Sequence, residues 1–396
     1  MKVPDIKPFE QENNDINDVT LYRKKRKRAK LIRNLIILLL IVAAAVPVWI
    51  FRDTIFEPLR GIASKITTTT TDSAGYPIDL SGRSDYSFYS MGESFALLSD
   101  TYLYSYSADG GQIFALQHGY VNPMATSNSK RIVIYDKGGH DFSLFNKTSR
   151  IYNLSIQDEV IVSVFLGSSE YTAVVTTGGR YSNVIYVYDG NGKWQYTQRF
   201  IDENIMQAAF SDDNRYLYIT RVCSDNGNIV TKLSKYDMTG EGSEIWTAII
   251  GDCVSMALSV GGDTVTVKGD SEIVTYDAET GNQTGNQKYS GAVSCFDTAD
   301  NMTAFVFDDY TDDGNVLVLL NNKCEAVASI AADPGIKCVA VKDGRVTVLT
   351  ETHIKLYDSE LKVVSDTLLD DSYSGFIYVG NSVVLMGYDK LNSMSL

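Results

Sequence analysis

Short apolar runs alternate with polar turns through most of this chain. From about residue 76 onward, runs of four to seven residues rich in Val, Ile, Tyr, Phe and Thr are separated by clusters of Gly, Asn, Asp and Ser. No stretch in that region keeps apolar residues at helical spacing for three turns. Such β-branched and aromatic runs, bounded by turn-forming residues, are typical of strands. The pattern predicts an all-β domain over residues 76–396.

The predicted strands recur as hairpins of two kinds. In one kind the first strand ends in an aromatic residue and an acid, as in residues 184–198, 272–283 and 353–367. The other kind lies just upstream and joins an apolar strand to a second strand through a short polar turn, as in residues 205–220 and 253–268. The pair recurs about every 40 residues, and four strands per unit of that length are typical of a propeller blade.

The repeat predicts a single β-propeller rather than a β-sandwich, because a sandwich needs far fewer strands than the roughly thirty that the pattern indicates. Seven outer hairpins are visible, and an eighth inner hairpin over residues 375–389 ends the chain without an outer partner. Residues 76–91 could supply the missing outer strand before the first blade begins near Ser87. Closing the ring with both ends of the chain would remove free sheet edges. Eight blades are therefore favoured, with seven as the alternative.

A long uncharged run precedes the propeller. The run from Leu35 to Phe51 has 17 residues, 16 of them apolar, and as a helix it would span roughly 26 Å, close to the thickness of a bilayer core. Trp49 lies where an interfacial aromatic residue would. The sequence predicts one transmembrane α-helix, a signal anchor, over residues 31–52.

Eight cations just before the run predict its orientation. They are Arg23, Lys24, Lys25, Arg26, Lys27, Arg28, Lys30 and Arg33. Because Lys and Arg beside a span stay on the cytoplasmic side, we expect a cytoplasmic N-terminus and an extracytoplasmic propeller in a single-pass protein of the cell membrane. A cleaved signal peptide and a buried soluble helix are the alternatives. Residues 43–45 resemble a cleavage site, but apolar residues continue for six positions beyond it.

The remaining segments and their charge complete the predicted organisation. Residues 1–30 are predicted to form a disordered basic tail, and residues 53–75 a Thr-rich extracytoplasmic tether. Residues 1–52 carry a net charge of +6 and the rest carries −20, against −14 for the whole chain. A domain that acidic repels nucleic acid, which excludes nucleic acid as a partner. The cytoplasmic membrane and an extracytoplasmic protein or cell-wall component are the expected partners.

Several motifs together resemble a known family. They are the basic block, the single span, Gly75–Leu80 with its Tyr76-Pro77 segment, and the string Arg131–Gly139. The chain is similar to a family of membrane-anchored propeller proteins of unknown function from Gram-positive, mainly anaerobic, bacteria. The turn at residues 211–220 also resembles the S-x-D-G-x-x-L turn of WD40-like and quinoprotein-like propellers, with Asn214 in place of Gly. The resemblance implies fold and location, and no catalytic residues.

No residue set predicts catalytic chemistry. The three histidines, His118, His140 and His353, have no Cys, Glu or second His at metal-ligand spacing. Asp309, Thr311 and Asp313 form a weak calcium-loop candidate, but the Glu that should end such a loop is absent. We therefore expect no cofactor and no catalytic site.

The predicted extracytoplasmic domain contains five cysteines, an odd number. They are Cys223, Cys253, Cys295, Cys324 and Cys338. Five cysteines argue against a full disulfide framework. Three of them, Cys253, Cys295 and Cys338, are predicted to lie on innermost strands as small packing residues, with a disulfide or a reactive thiol as the alternative.

Three classes of function follow from these features. The favoured one is a non-catalytic scaffold that binds a protein or an envelope component through turns such as Asp212–Asn214, Gly261–Asp263 and Asp308–Asn315. The alternative is a quinoprotein-like or carbohydrate-active enzyme at the cell surface. An anchored sensor ranks last, because twenty unpatterned cytoplasmic residues make a poor signalling domain.

Overall fold

The computed structural model describes residues 75–81, 85–168, 170–239, 242–251, 253–289, 291–309, 314–333 and 335–396. Within these ranges the chain forms strands joined by turns and loops. No helix long and apolar enough to cross a bilayer occurs among them. The predicted tail, the anchor and all of the tether except Gly75 lie outside the described residues.

Thirty-two strands form eight antiparallel sheets of four strands, and seven sheets follow the chain in order. Blade one contains β2 (Ser87–Ser90), β3 (Ser94–Leu98), β4 (Tyr102–Ser107) and β5 (Gln112–Gln117), and blade two β6 (Pro123–Ser127), β7 (Arg131–Asp136), β8 (Asp141–Asn146) and β9 (Arg150–Ser155). Blade three contains β10 (Val160–Leu166), β11 (Thr172–Gly178), β12 (Tyr181–Tyr188) and β13 (Trp194–Phe200), and blade four β14 (Asn204–Phe210), β15 (Tyr216–Asp225), β16 (Asn228–Asp237) and β17 (Glu244–Ile249).

The remaining blades complete the ring. Blade five contains β18 (Ser255–Gly261), β19 (Thr264–Gly269), β20 (Glu272–Asp277) and β21 (Gln283–Lys288), and blade six β22 (Val293–Ala299), β23 (Met302–Asp309), β24 (Gly314–Asn321) and β25 (Ala326–Ala331). Blade seven contains β26 (Cys338–Lys342), β27 (Arg345–Leu349), β28 (His353–Tyr357) and β29 (Val363–Leu368). Blade eight contains β30 (Tyr373–Val379), β31 (Ser382–Gly387), β32 (Lys390–Ser395) and, as its outermost strand, β1 (Ile78–Asp79). The prediction of an all-β propeller with eight blades is confirmed.

Both ends of the described chain build blade eight. Ile78 of β1 lies opposite Leu391 of β32, and the first strand of blade one contacts the first strand of blade eight. The start of the propeller thus supplies the missing outer strand, as predicted. The predicted inner hairpin over residues 375–389 is followed by a third strand, β32, which pairs with both β31 and β1.

The hydrophobic core is a ring of eight clusters, each lying between two neighbouring blades. Between blades four and five, for example, Tyr218 and Leu233 pack against Val265 and Val274. Second and third strands are buried on both faces because each lies between two blades, whereas fourth strands alternate between exposed and half-buried residues. Stacking of neighbouring blades therefore buries apolar side chains that a single blade would expose to water.

The recurring aromatic and acid have structural roles. In blades one to seven the third strand pairs with the fourth through a β-bulge at the end of the third strand, where most blades carry the aromatic residue. The next side chain accepts hydrogen bonds from the turn: Asp358 Oδ1 accepts the N–H groups of Glu360 and Lys362, each at 2.9 Å. In blade four's first turn Asn214 has a φ of 53°, the conformation that favours Gly in the resembling motif.

Candidate functional site: a groove between blades four and five

The blade topology gives the propeller two distinct faces. The turn face carries the turns between first and second strands and between third and fourth strands. The connector face carries the turns between second and third strands and the connections between blades. A Cβ on Gly110, in the β4–β5 turn, would lie 3.2 Å from the carbonyl carbon of Gly75. The described chain therefore begins at the turn face.

Charge differs between the two faces. The described connections of the connector face carry twelve acidic residues: Asp85, Asp100, Asp158, Glu159, Asp202, Glu203, Asp270, Asp333, Glu351, Asp370, Asp371 and Asp389. They carry three basic residues: Lys137, Arg180 and Lys337. The described turns of the turn face carry thirteen acids against six bases. The connector face is the more strongly acidic and would attract a basic surface.

A groove of about 490 Å³ lies between blades four and five. One wall is formed by the end of blade four, at Ile249, Ile250 and Gly251. The opposite wall is the side of the β20–β21 hairpin that faces blade four. Near the turn face, Trp246 of blade four packs against Gly281, where a Cβ would come within 2.6 Å of the indole. The groove is therefore lined by residues of two different blades.

Strand register places the polar side chains of the groove in three rows. Glu272 lies opposite Lys288, Val274 opposite Asn286, and Tyr276 opposite Gln283. Because side chains alternate across a strand, Glu272, Val274 and Tyr276 point to the same side of β20.

The carboxylate of Glu272 is buried and held in place. The residue is 9% exposed, and Asn286 Nδ2 donates a hydrogen bond of 2.7 Å to Glu272 Oε2. No ion pair within 4 Å joins Glu272 to Lys288 among the described residues. A buried carboxylate with a single side-chain donor retains free acceptor positions.

Two tyrosines line the groove beside Glu272. Tyr276 is 3% exposed, and its hydroxyl makes no hydrogen bond to any described residue. Burial, followed by the charges of Glu272 and Cys253, raises the pKa of Tyr276, which keeps the hydroxyl protonated at neutral pH. Tyr289 donates its hydroxyl hydrogen to the carbonyl of Gly269, which fixes its ring at the connector-face end of the groove.

On the side of blade five that faces blade six, the outermost strand is closely packed. A Cβ on Gly285 of β21 would lie 1.8 Å from the carbonyl oxygen of Lys323, in the turn of blade six. Only Gly allows this approach of the outermost strand to blade six. The outermost strand of blade five thus packs closely against the turn of blade six, whereas the groove lies on its other side, toward blade four.

Two smaller cavities have different linings. One of about 280 Å³ lies at the turn face between blades five and six and is lined by glycines and hydroxyl side chains, including Thr266, Thr298 and Thr303. One of about 150 Å³ lies between blades one and two beside His118 and Tyr120. Neither contains a buried carboxylate.

The three histidines lie in separate places and bond mainly to the main chain. His118 Nδ1 accepts the Tyr120 N–H at 3.1 Å, and its Nε2 lies 3.1 Å from the Ser99 carbonyl. His140 Nδ1 lies 2.7 Å from the Glu159 carbonyl. His353 opens β28, where its Nε2 lies 3.9 Å from an oxygen of Asp366.

The predicted binding turns are not brought together. Asp212–Asn214 and Gly261–Asp263 lie at the turn face, whereas the described part of the third turn, residues 308–309 and 314–315, lies on β23 and β24 at the connector face. They cannot form one continuous surface. Of the calcium-loop candidate, Asp309 ends β23, and Thr311 and Asp313 lie outside the described residues. The anchor residues Leu35, Trp49 and Phe51 and the eight cations also lie outside them.

The cysteines are free thiols. Cys295 and Cys338 lie on the first strands of blades six and seven, as predicted. The expectation for Cys253 is wrong, because it precedes β18 in the connection from blade four, where its Sγ fills the space next to Gly269. Burial raises the pKa of Cys253 and Cys295, and that of Cys338 to about 11. Raised pKa values disfavour the thiolate, which fits packing residues.

The groove was not predicted, although its residues show a pattern in the sequence. β21 reads Gln-Thr-Gly-Asn-Gln-Lys and has no apolar side chain. The fourth strands of blades four, six and seven each carry at least two aliphatic residues. An outermost strand without apolar residues, next to a buried acid that begins the third strand, is the feature that could have revealed it.

A model of a family of unknown function, DUF5711, matches residues 65–396. No curated protein sequence gives a significant match. The matched range contains the whole described propeller.

Solved propellers share the architecture. BamB from Moraxella catarrhalis is 11% identical with a TM-score of 0.53, covering 81% of this chain and 96% of that one. Sqt1 from Saccharomyces cerevisiae is 8% identical with a TM-score of 0.58, covering 81% and 98%. The C-terminal WD40 domain of Sif2 is 12% identical with a TM-score of 0.56, covering 82% and 99%. At these identities the similarity shows the propeller fold alone.

Proposed function

Because the chain belongs to the DUF5711 family of unknown function and folds as an eight-bladed propeller, we propose that it is a non-catalytic binding module. In this proposal the predicted anchor holds the propeller outside the cytoplasmic membrane, and the connector face binds a basic region of an extracytoplasmic protein or envelope component. The observation that carries the proposal is the excess of twelve acids over three bases in the described connections of that face. Such a field speeds and orients association with a basic partner.

Location is tested with the full chain in membranes of its host. A tag at the C-terminus should be digested by protease added to intact spheroplasts, whereas a tag at the N-terminus should resist until the membrane is permeabilised. Protection of the C-terminal tag in intact spheroplasts would overturn the proposed topology.

Binding is tested by neutralising charges on one face at a time. Four exposed acids of the connector face make no side-chain hydrogen bond or ion pair among the described residues, so their exchange for amides should leave the fold intact: Asp158, Asp202, Glu351 and Asp389. Four exposed acids of the turn face meet the same conditions and form the matched control: Asp212, Asp263, Glu279 and Asp343. Both sets remove four negative charges.

The readout is the set of proteins and wall fragments crosslinked to the full chain in intact cells, compared with the anchor and tether alone. The connector-face variant should lose partners that the turn-face variant keeps, and the loss should deepen at higher ionic strength. Equal loss from both variants, or no partner beyond those of the anchor and tether, would contradict the proposal.

A further inference from the structure

We propose that the groove between blades four and five is a binding site for an uncharged oligosaccharide. This inference extends the proposed function by adding a ligand class at a second site. It depends on that function only in placing the groove on the outer side of the membrane. The argument rests on the side chains that line the groove.

The charges of the described lining residues balance. Glu272 contributes one negative charge and Lys288, directly across from it, one positive charge. The other polar side chains of the described lining are uncharged: Ser271, Tyr276, Gln283, Asn286 and Tyr289. The described lining therefore offers no net counter-charge to a strongly charged ligand. A ligand with many hydroxyl groups finds donors and acceptors side by side.

Two of these groups are pre-arranged and incompletely satisfied. Asn286 fixes one oxygen of Glu272, and the remaining acceptor positions suit adjacent hydroxyls of a sugar ring. The Tyr276 hydroxyl makes no hydrogen bond to a described residue and is accessible from the groove. A ligand hydroxyl can therefore replace water as its hydrogen-bond partner.

The walls and the size of the groove also suit a sugar. Ile249 is 66% exposed and lies with Val274 and the ring of Tyr289 along the same groove. Pyranose rings have one apolar face, which can pack on such side chains while the hydroxyls bond to the polar rows. A volume of about 490 Å³ falls within the range of roughly 300–1,000 Å³ typical of small-ligand sites.

A peptide is the competing occupant. An extended peptide would bond to the open main-chain edge of β21, as strands do at any sheet edge. The groove side chains instead project from the face of the β20–β21 hairpin into the space between two blades. Their placement favours a ligand read through side chains.

The test uses the purified full chain in nanodiscs and four probes: chitotetraose, cellotetraose, maltotetraose and a soluble cell-wall stem peptide. Binding is measured by saturation-transfer NMR and calorimetry. At least one tetrasaccharide should bind and the peptide should not compete with it. No binding by any tetrasaccharide, or displacement of the bound one by the peptide, would overturn the inference.

Matched tyrosine variants separate binding from stability. Tyr276→Phe should weaken the bound tetrasaccharide about tenfold, because one hydrogen bond to the ligand is lost, while the melting temperature stays unchanged. Tyr236 occupies the same strand position in blade four, but its hydroxyl donates to Glu244 at 2.8 Å. Tyr236→Phe should lower the melting temperature and leave the affinity unchanged. An unaltered affinity in Tyr276→Phe would contradict the site.

Glu272→Gln gives a second, independent measurement. The amide keeps the shape of the side chain and should lower affinity at least tenfold, since a charged acceptor is replaced by a weaker one. Undiminished affinity in this variant would also count against the site. Neither groove variant alters the connector-face acids, so retained crosslinking partners with no sugar binding would overturn this inference and leave the proposed function standing.

Discussion

Blades four and eight are both four-stranded sheets, but blade four comes from one segment of the chain and blade eight from both of its ends. Blade four is one continuous segment whose two middle strands have ten residues each. Blade eight joins three C-terminal strands to β1, which has two residues. A long hairpin contributes many ladder hydrogen bonds within one segment, whereas blade eight depends on a short pairing between residues more than 300 positions apart. The ring is therefore weakest where it closes.

The interiors of the two blades differ as well. Arg221 of blade four is 6% exposed, bonds to Glu203 and Glu244, and lies 4.9 Å from the ring centre of Phe200. The cluster between blades eight and one is apolar, with Phe95, Leu97, Val384 and Leu391 at its centre. Blade four is thus sensitive to loss of a single charge partner, and blade eight to loss of buried area.

Removal of β1 should produce the largest effect. A propeller that begins at residue 81 lacks Tyr76, Ile78 and Leu80, which pack against the blade-eight cluster, and should lose about 5 kcal/mol of unfolding free energy. It should also self-associate, because the edge of β32 is left unpaired. Guanidinium unfolding and light scattering, compared with a propeller that begins at residue 75, measure both effects. Equal midpoints for the two chains would show that closure does not depend on β1.

Arg221→Met should have the next largest effect. Loss of Arg221 leaves Glu203, whose side chain is 18% exposed, with Lys232 as its one ion-pair partner among the described residues. We expect a loss of about 3–4 kcal/mol in unfolding free energy. Arg215→Met in the same blade is the control, because Arg215 is half exposed and pairs with Asp237 at 3.0 Å; its loss should be far smaller than that of Arg221→Met, since exposed ion pairs contribute little. Similar losses in both variants would contradict the role of the buried network.

Lys268→Met should act in the opposite direction. Lys268 of blade five is 2% exposed, its Nζ lies 4.2 Å from the ring centre of Phe296, and no carboxylate forms an ion pair with it among the described residues. Methionine fills similar space without a buried charge, so we expect a gain of about 1 kcal/mol.

Titration provides a check on that prediction. Burial lowers the pKa of Lys268 in the folded protein. Between that lowered pKa and the ordinary lysine pKa of about 10.4, the unfolded chain binds more protons than the native protein. The native protein therefore gains stability as pH rises toward about 10.4. The advantage of Lys268→Met should therefore shrink as pH rises from neutral toward that value. A constant difference would mean that the lysine is solvated in the folded state.

Local repetition explains what the sequence could predict. The blade count, the closing strand and the strained conformation of Asn214 all follow from hairpins that recur with their own turn residues. The burial of Lys268 could not be predicted, because the alternation Thr-Val-Thr-Val-Lys places its side chain on the polar side of β19. In the structure that side faces another blade rather than water. The groove was not predicted, although β21 without apolar side chains signals it, because one of its walls comes from blade four and forms only when the two blades pack together.

The smallest expected effect concerns the turn between the third and fourth strands, which blade four has and blade eight lacks because its fourth strand is β1. Asp237 ends the third strand of blade four, and its Oδ1 accepts hydrogen bonds from the side chain and the N–H of Thr239. These bonds, with a contribution from Arg215, lower the pKa of Asp237 below its ordinary value. The stabilisation is therefore complete above the ordinary Asp pKa of about 3.9 and is lost as pH falls through the lower native value.

Asp237→Asn should retain an acceptor for Thr239 and change stability at pH 7 only slightly. Its unfolding free energy should fall less steeply than that of the wild type below pH 4. Asp389→Asn in blade eight is the control, because Asp389 joins β31 to β32 and makes no side-chain hydrogen bond among the described residues; it should leave the unfolding free energy at pH 7 unchanged. Parallel acid profiles for Asp237→Asn and the wild type would show that the turn bonds do not couple to stability. Any acid sensitivity of the propeller would then come from groups outside the turns between third and fourth strands.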